Sequence, residues 1–279
     1  MRHSLSVTSC ALVAAFLLAS LPAATQAQSL WLNWRQDRTL TLEILKPDFD
    51  GEDNSTFATS VLFLALRQPI GDRAMLVAEL PFAHAGWDSR FSGDESDNTL
   101  GNPYAGFEIY NQNASFIAEV GLRVPVAEED KTATFVGLIT EITERYDAFA
   151  PKFLPLSALM NYRYQAPTGF VLRLRGGPVF WINTDKDRYE DGTELFLNYS
   201  AQVGYESKRF DLLGGFSGRA LLSEEDLDAR ERTVHQLGLA ATVTLGSVRP
   251  GLQVRIPLDE DVTEMLDAVF GLHLGIVLQ

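Results

Sequence analysis

Charged side chains alternate with apolar ones in several runs of this chain. In the clearest case, Val-Leu-Arg-Leu-Arg-Gly-Gly at 171–177, Arg173 and Arg175 alternate with Leu172 and Leu174. Successive side chains of a β-strand point to opposite faces, so the two guanidinium groups share one face and the two leucines share the other. The chemistry that such a row offers is ion pairing and the selection of charged solutes, because rings of charged side chains set the selectivity of pores. The opposite face suits an apolar medium, in which a charge near the midplane of a bilayer costs roughly 2–4 kcal/mol.

The same alternation places a set of ionisable residues on the polar face of the predicted sheet. The acidic members come from the first to the fifth predicted strand and the arginines from the fifth strand onward, so the two signs are predicted to segregate. The set comprises Glu43, Glu79, Glu108, Glu119, Arg123, Arg163, Arg173, Arg175, Arg219, Arg249, Arg255 and His273. Because arginines outnumber glutamates in it, we predict a lumen that favours anions. The alternative is that opposite charges pair across a narrow lumen and fill it.

Catalytic chemistry finds little support in the sequence. The histidines beyond the N-terminal region are His84, His235 and His273, and neither a Gly-x-Ser-x-Gly elbow nor a paired-histidine metal site accompanies them. A lone histidine in a barrel is more often a packed polar residue than a general base. The acidic stretch at 48–53 resembles part of a calcium loop but lacks its terminal glutamate. We therefore expect no enzyme activity, no catalytic residue, no dedicated metal site and no cofactor.

The charge balance and the cysteine content restrict the class of protein further. The 279 residues include 37 acidic and 23 basic side chains, which gives a formal net charge of −14. Such an acidic chain is not expected to bind nucleic acid, because phosphate binding requires a basic face. Cys10 is the single cysteine, so the predicted fold is not held together by disulfides.

The N-terminal residues have the order of a secretory signal peptide. Arg2 and His3 precede an apolar run at 10–21, and small residues follow as far as Ala27. The run is shorter than the roughly 20 apolar residues of a spanning helix, so an uncleaved anchor is the less favoured alternative. We predict a signal peptide at 1–27 and a single domain at 28–279, exported to the outer membrane of a Gram-negative-type cell.

The exported region alternates between strand-like runs and two kinds of connection. Five connections are short, and six are long and hold most of the acidic residues, at 47–54, 87–98, 127–131, 183–192, 223–229 and 258–264. Twelve strands are predicted, at approximately 38–46, 56–67, 73–85, 99–110, 114–125, 152–165, 169–182, 193–205, 209–222, 231–245, 248–257 and 265–278. An even number of strands, with both ends of the domain on the short-turn side, is typical of outer-membrane barrels.

Aromatic residues favour lipid over water outside the predicted barrel. Tyr164 and Phe170 flank one short turn on the apolar face, and Tyr205 and Phe210 flank another. Membrane barrels place an aromatic girdle at these positions. Tyr110 is an exception, because it lies beside a turn on the polar face. The sequence thus predicts an all-β fold, a single antiparallel transmembrane β-barrel of about twelve strands, with a soluble periplasmic barrel or sandwich as the alternative.

One segment departs from this rhythm. In Thr134–Phe149, the residues Phe135, Leu138, Ile139, Ile142 and Tyr146 recur at helical spacing, which predicts a short amphipathic helix within the third long loop. Three positions are open for it: a lid on the barrel mouth, a helix on the membrane surface, or an inward-folded constriction that regulates passage.

Three stretches resemble a known family. They are NTLGNPYAGFEIY at 98–110, ATFVGLITEITERYDAF at 133–149 and VRPGLQVRIPLDED at 248–261, and they are similar to stretches of the outer-membrane proteins grouped with the meta-pathway of phenol degradation. The resemblance covers most of the exported region and implies a twelve-stranded barrel that takes up small, often apolar or aromatic compounds, without catalytic residues. The chain departs from such barrels at its end, Val277-Leu278-Gln279, where an aromatic residue is usual; Phe270 is expected to serve the barrel assembly machinery instead.

The function predicted from these observations is a passive outer-membrane channel for small solutes. The expected partners are outer-membrane lipid and lipopolysaccharide, the barrel assembly machinery and a small-molecule solute. The alternatives are a plugged structural or adhesive barrel without transport, a barrel enzyme and a soluble periplasmic β protein.

Overall fold

The computed structural model describes most of the exported region. The described residues are 31, 36–49, 56–57, 59–89, 93–111, 115–185, 192–224 and 228–278. The predicted signal peptide at 1–27 lies outside them, as do the central parts of several acidic loops and the last residue, Gln279.

Strands dominate the described part of the chain. They are β1 (Thr39–Phe49), β2 (Thr56–Phe57), β3 (Ser60–Ile70), β4 (Ala74–Ser89), β5 (Gly93–Leu100), β6 (Tyr104–Tyr110), β7 (Phe116–Arg123), β8 (Phe153–Gln165), β9 (Phe170–Asn183), β10 (Thr193–Glu206), β11 (Phe210–Leu221), β12 (Thr233–Val243), β13 (Val248–Pro257) and β14 (Leu266–Val277).

The strands form one closed antiparallel barrel. From β6 to β14 each strand pairs with the next, β3 pairs with β1 and β4, and β1 pairs with β14 along its whole length, from Thr39 with Val277 to Phe49 with Leu266. β5 and β6 both pair with β4 and together form one stave, while β2 is a two-residue pairing with the far end of β4. The barrel therefore has 12 strands, which confirms the predicted fold class. The pairing of β1 with β14 and of β4 with β6 closes the sheet, as a barrel in lipid requires.

Side chains alternate between the two surfaces of the barrel as the sequence predicts. On β9, Arg173 is buried inside, whereas Leu174 is 42% exposed on the outer surface. The predicted girdle residues lie outside too, with Phe170 and Tyr205 both nearly half exposed. Tyr110 points inward and is only 4% exposed, because its hydroxyl donates a hydrogen bond to the buried carboxylate of Glu108. The exception in the sequence is thus an interior hydrogen bond.

The two ends of the barrel carry different connections. At one end the turns are short, and Gly71, Gly169 and Gly246 adopt positive φ angles of 64°, 97° and 66° that side chains with a Cβ disfavour. We call this the short-turn end. The opposite, long-loop end carries the acidic connections and most of the helical segments: α1 (Thr132–Thr140), a 3₁₀ turn (Tyr146–Ala148), α2 (Ala229–Arg232) and α3 (Glu260–Thr263).

The long-loop helix differs from its prediction. The described helix α1 ends at Thr140 and not near Phe149, and no helix in the described residues is long and apolar enough to cross a membrane. Its buried residues are small, among them Ala133 and Gly137, while Phe135 is half exposed. The predicted short loop helix is therefore confirmed, with Leu138 and Ile139 packed on the core, but its predicted length is wrong. The chain beyond Thr140 folds back and lays the ring of Phe149 directly on Gly137.

The lipid-facing assignment is testable on β9. Leu174→Arg is expected to lower the free energy of unfolding by roughly 2–4 kcal/mol, because the guanidinium would enter the apolar band of the bilayer. Guanidinium chloride titration of the protein refolded into phospholipid vesicles measures this. Leu245→Arg is the matched control, because Leu245 lies in a short turn and is 63% exposed, where the cost falls to roughly 0–1 kcal/mol. Equal effects at the two positions would contradict a lipid-facing β9.

Candidate functional site

The long loop between β7 and β8 enters the barrel. We call residues 132–150 of this loop the bridging segment. Asn102, which is fully buried between β5 and β6, holds the chain that leads to the segment and the end of the segment. The Asn102 amide nitrogen donates to the carbonyl oxygens of Asp147, at 2.9 Å, and Ala150, at 2.7 Å. Its amide oxygen accepts from the backbone of Val126 and Ala127. One side chain thus fixes the approach to the segment and its exit.

Gly101, next to Asn102, leaves room for the bridging segment to pack closely. A Cβ at Gly101 would lie 2.5 Å from the Ala148 carbonyl oxygen and 2.8 Å from the Phe149 ring, so glycine is required at this approach. The Phe149 ring also meets that of Phe63 on β3 in an edge-on contact, with centroids 6.0 Å apart. The Gly-Asn pair in the stretch at 98–110 is therefore a docking site for the segment.

The start of α1 is held by a carboxylate from the barrel wall. Both oxygens of Asp97, on β5, accept hydrogen bonds from backbone N–H groups, those of Thr132 at 2.9 Å and Ala133 at 2.8 Å. These N–H groups have no partners within the helix, and an anion is favoured at this end of the helix dipole. Asp97 therefore takes the place of an N-cap and fixes the helix to the rim.

Arg145 of the bridging segment lies at the centre of a buried charge cluster. Its guanidinium is 2.7 Å from Glu43 of β1 and 3.0 Å from Glu79 of β4, and it also pairs with Glu141 one turn earlier in the segment. Its carbon atom Cζ lies 3.6 Å above the ring of Phe63. All three carboxylates are at most 3% exposed. One cation thus joins the segment to two strands of the wall.

Two wall arginines complete this cluster. Arg255 lies 3.1 Å from Glu43 and 3.0 Å from Glu141. Arg123 lies 2.8 Å from Glu79 and 3.1 Å from Asp147. We call the whole set the ionic core; its members are Glu43, Glu79, Arg123, Glu141, Arg145, Asp147 and Arg255.

The pKa of Arg145 shows how strongly the cluster favours its charge. Burial on its own would lower the pKa of this guanidinium, but the carboxylates of Glu141, Glu43 and Glu79 outweigh burial and hold the pKa well above its usual value. At the neighbouring Glu144, burial raises the pKa of the carboxyl group, and Arg255 opposes this without cancelling it.

Uncharged hydrogen bonds hold the tip of the segment to the opposite wall. The Thr143 hydroxyl lies 3.0 Å from that of Ser217 on β11, and the Gln236 amide of β12 donates to both. The Asn198 amide of β10 donates to the Glu144 carbonyl oxygen at 3.4 Å. Since Arg145 contacts β1 and β4 while Thr143 contacts β11 and β12, the segment crosses the lumen from wall to wall.

Little space is left beside the tip. A cavity of about 10 Å³ lies between Thr143 and Glu144 of the segment and Arg175, Asn198 and Ser217 of the wall. This volume holds about one water molecule. The tip is therefore closely packed against the wall at this point.

The predicted arginines of β8 and β9 point inward and lie beside carboxylates. Arg163 and Arg173 both bind Glu206 near the short-turn end. Arg175 lies 3.0 Å from Glu119 on β7. Glu206 was not among the residues predicted from the sequence, although it follows the inward parity of β10.

The remaining predicted residues are spread along the barrel. Glu108 pairs with Arg67 of β3, and Arg249 lies 2.7 Å from Asp37. The ring nitrogen Nε2 of His273 lies 3.0 Å from the Thr242 hydroxyl. Arg219 faces the lumen at the long-loop end, among aromatic rings.

The predicted segregation of charge is wrong at two strands. Arg67 points inward on β3, among the acidic strands, and Glu206 points inward on β10, among the basic ones. Arg67 escaped notice because its strand is apolar on both faces up to that position. The bridging segment adds Glu141, Arg145 and Asp147, which strand parity does not cover; the spacing of Glu141 and Arg145, one helical turn apart, is the sequence signal for their pair.

The N-terminal part of the domain also reaches the interior. Trp31 is fully buried, and a Cβ at Gly238, on the inner face of β12, would lie 2.5 Å from its indole ring. The lumen therefore contains at least two elements besides the wall, the bridging segment and this indole.

Two of the histidines lie away from the lumen. His235 is on the outer face, 2.7 Å from the Tyr199 hydroxyl and 3.1 Å from Asp259. His84 lies 2.9 Å from the Asn98 side chain. Within the described ranges there is no group of three or more His, Cys, Asp or Glu side chains arranged to hold a metal ion.

Comparisons with known proteins reveal the fold. No family model and no curated protein matches the chain. An outer membrane channel from Pseudomonas putida F1 superposes with a TM-score of 0.59 at 12% identity, over 91% of this chain and 100% of that one. The translocator domain of the autotransporter NalP from Neisseria meningitidis gives 0.54 at 12%, over 88% and 90%. The NanC porin gives 0.53 at 7%, over 86% and 100%. At these identities the similarity shows the fold alone, that of outer-membrane β-barrels.

Removal of Arg145 tests the ionic core. Arg145→Ala leaves three buried carboxylates without their shared cation, and loss of one partner from a buried ion pair costs about 3–5 kcal/mol. We therefore expect faster amide hydrogen exchange over 140–149 and a lower free energy of unfolding. Arg249→Ala is the control, because the side chain of its partner Asp37 is 46% exposed and such pairs contribute about 0–1 kcal/mol. Unchanged exchange over 140–149 in Arg145→Ala would show that the core does not hold the segment.

Proposed function

We propose that this protein is a passive outer-membrane channel for small solutes, with the bridging segment as its gate. The observation that carries the proposal is that one loop segment crosses a polar lumen and is held by side-chain contacts at both walls. Side-chain contacts of this kind can break and re-form while the barrel stays folded, whereas the ladder hydrogen bonds of the wall cannot. Movement of a single segment would therefore change the width of the passage without disturbing the barrel.

Several features support the outer membrane as the location. The outer surface of the barrel is rich in exposed apolar side chains, such as Leu252 and Leu272, and the wall has the fold of outer-membrane barrels. We propose that residues 1–27 direct export, that the assembly machinery inserts the barrel, and that divalent cations link the acidic loops to lipopolysaccharide. The resemblance to proteins of phenol degradation is part of this proposal.

Two classes of solute fit the interior, anions and small apolar or aromatic compounds. Arg219 supports both, because its guanidinium lies 3.7 Å above the ring of Tyr146 and its Nη1 atom has no hydrogen-bond partner among the described residues. The other inward arginines lie beside carboxylates, so an anion preference would come from Arg219 rather than from an uncompensated wall.

A plugged structural barrel is the second candidate. The pairing of the interior charges and the one-water cavity beside the tip favour it. It differs from a gated channel in one measurable respect: no movement of the segment is needed for its function, and it does not conduct.

A reversible cross-link distinguishes the two candidates. The Thr143 and Ser217 hydroxyls are 3.0 Å apart, so cysteines at these positions are within reach of a disulfide, and residues 28–279 contain no cysteine that would interfere. In Thr143→Cys/Ser217→Cys we expect single-channel current in a planar bilayer to fall on oxidation and to recover on reduction. The Thr143→Cys single variant is the control and should be insensitive to both. Insertion without conductance under reducing conditions would favour the plugged barrel.

Ion selectivity tests the role of the β9 arginines. Arg173→Ala with Arg175→Ala removes two inward positive charges and leaves Glu119 without its pair, so the reversal potential under a salt gradient is expected to shift towards cation preference. Lys208→Ala with Arg209→Ala removes two charges from an exposed turn as the matched control. The same reversal potential in both double variants, or a cation preference in the unmodified channel, would contradict the anion-favouring lumen.

A further inference from the structure

The ring of Tyr146 is the one aromatic side chain of the bridging segment that rests on the far wall of the barrel. Its ring stacks on the indole of Trp181, with centroids 5.5 Å apart and planes 12° from parallel. The guanidinium carbon of Arg219 lies 3.7 Å from the Tyr146 ring centroid. Both contacts are ones that a planar, electron-rich ring makes with an aromatic surface and a cation.

The wall that receives this ring comes from four consecutive strands. Trp181 of β9 is flanked by Phe196 of β10, at 4.8 Å between ring centroids, and by Phe153 of β8, at 5.2 Å. Arg219 of β11 also lies 5.0 Å from the Phe196 ring. We call these four residues the aromatic slot. Continuous ladder pairing joins their strands, so the slot is positioned by the barrel and does not depend on the segment that fills it.

The slot and its occupant differ in burial. Trp181 and Phe196 are 5% and 7% exposed, whereas Tyr146 is partly exposed. The occupant is next in sequence to Arg145 of the ionic core, on a loop held to the wall by side-chain contacts and by the backbone hydrogen bond from the Asn102 N–H to the Ala148 carbonyl oxygen. A solute could therefore reach the slot from the long-loop end once the Tyr146 ring has left it. Because Tyr146 is next to Arg145, its departure would also strain the contacts of Arg145 with β1 and β4.

We propose that Tyr146 is an internal ligand, and that a small planar aromatic compound bearing a hydroxyl or carboxylate group displaces it from the aromatic slot and thereby releases the bridging segment. The class follows from the occupant, a phenol, and from the slot, which offers ring faces and a guanidinium whose buried Nη1 donor has no described partner. The proposal rests on the gated channel above: the slot would be the place where a solute opens its own path.

The presence of the Tyr146 ring in the aromatic slot determines how tightly a soluble aromatic compound is expected to bind there. A slot that its own chain fills most of the time binds a competing ring weakly, in proportion to the vacant fraction. Removal of the Tyr146 ring should therefore strengthen binding of a soluble probe, and we expect a gain of about tenfold or more in Tyr146→Ala.

Equilibrium dialysis of the refolded protein against benzoate measures this gain, with cyclohexanecarboxylate as the saturated counterpart. We expect Tyr146→Ala to bind benzoate more tightly than the unmodified protein and to prefer it to cyclohexanecarboxylate. Adding Trp181→Ala or Arg219→Gln should abolish the gain. Adding Phe180→Ala should preserve it, because Phe180 is the neighbouring aromatic residue on the outer face. Heat-modifiable electrophoretic mobility verifies folding, and Arg219→Gln keeps the test valid if Trp181→Ala fails to fold.

Release of the segment has its own readout. In the unmodified protein, saturating benzoate should accelerate amide hydrogen exchange over 140–149. No gain in Tyr146→Ala, an equal gain for cyclohexanecarboxylate, or a gain that survives Arg219→Gln would overturn the slot. Slower or unchanged exchange with benzoate bound would overturn the displacement. If oxidation of the cysteine pair lowers the current and benzoate does not bind, the displacement proposal fails and the gated channel is kept. If benzoate binds and no variant conducts, the aromatic slot is kept and the channel proposal fails.

Discussion

The interior of this barrel depends on one constraint, that a charge removed from water must be paired. Arg145 meets it with three carboxylates at once, two on the wall and one on its own segment. Removing Arg145 would leave four carboxylates of the ionic core with two arginines, and an uncompensated buried charge costs several kcal/mol. The carboxylates of β1 and β4 each lie beside a wall arginine, Arg255 and Arg123, and the bridging segment adds Arg145 as a cation that both carboxylates share. The charges of the wall thus stabilise the segment in this position.

The two walls hold the segment by different chemistry. On the side of β1 and β4 the contacts are ionic and almost fully buried, whereas on the side of β10 to β12 they are hydroxyl and amide hydrogen bonds and the ring of Tyr146. A neutral hydrogen bond contributes about 0.5–1.5 kcal/mol net, less than a buried ion pair costs to break. The segment is thus anchored at the ionic core, and its tip is the more weakly held part.

Local patterns predicted the wall well and the interior partly. Alternation placed Leu174 outside and Arg173 inside, and gave strand positions such as 169–182 against the observed Phe170–Asn183. The same parity missed Arg67, whose strand offers no polar contrast, and left Glu206 out of the interior set. Strand parity does not apply to a loop, so it did not identify Glu141 and Arg145. Helical spacing predicted a helix as far as Phe149, whereas α1 ends at Thr140. There the chain turns back because Phe149 packs on Gly137.

The sequence by itself determined the number of strands, through its alternation of strand-like runs and connections. It also determined which surface faces lipid and most of the strand residues that point inward, because both follow from a period of two along each strand. Only the tertiary structure decided which charges meet and where the bridging segment lies. Arg145 and Glu79 are 66 positions apart, and Thr143 and Gln236 are 93 apart. No local period links such residues. Their contacts exist because closure of the barrel brings distant strands around one small volume, in which every buried charge must find a partner.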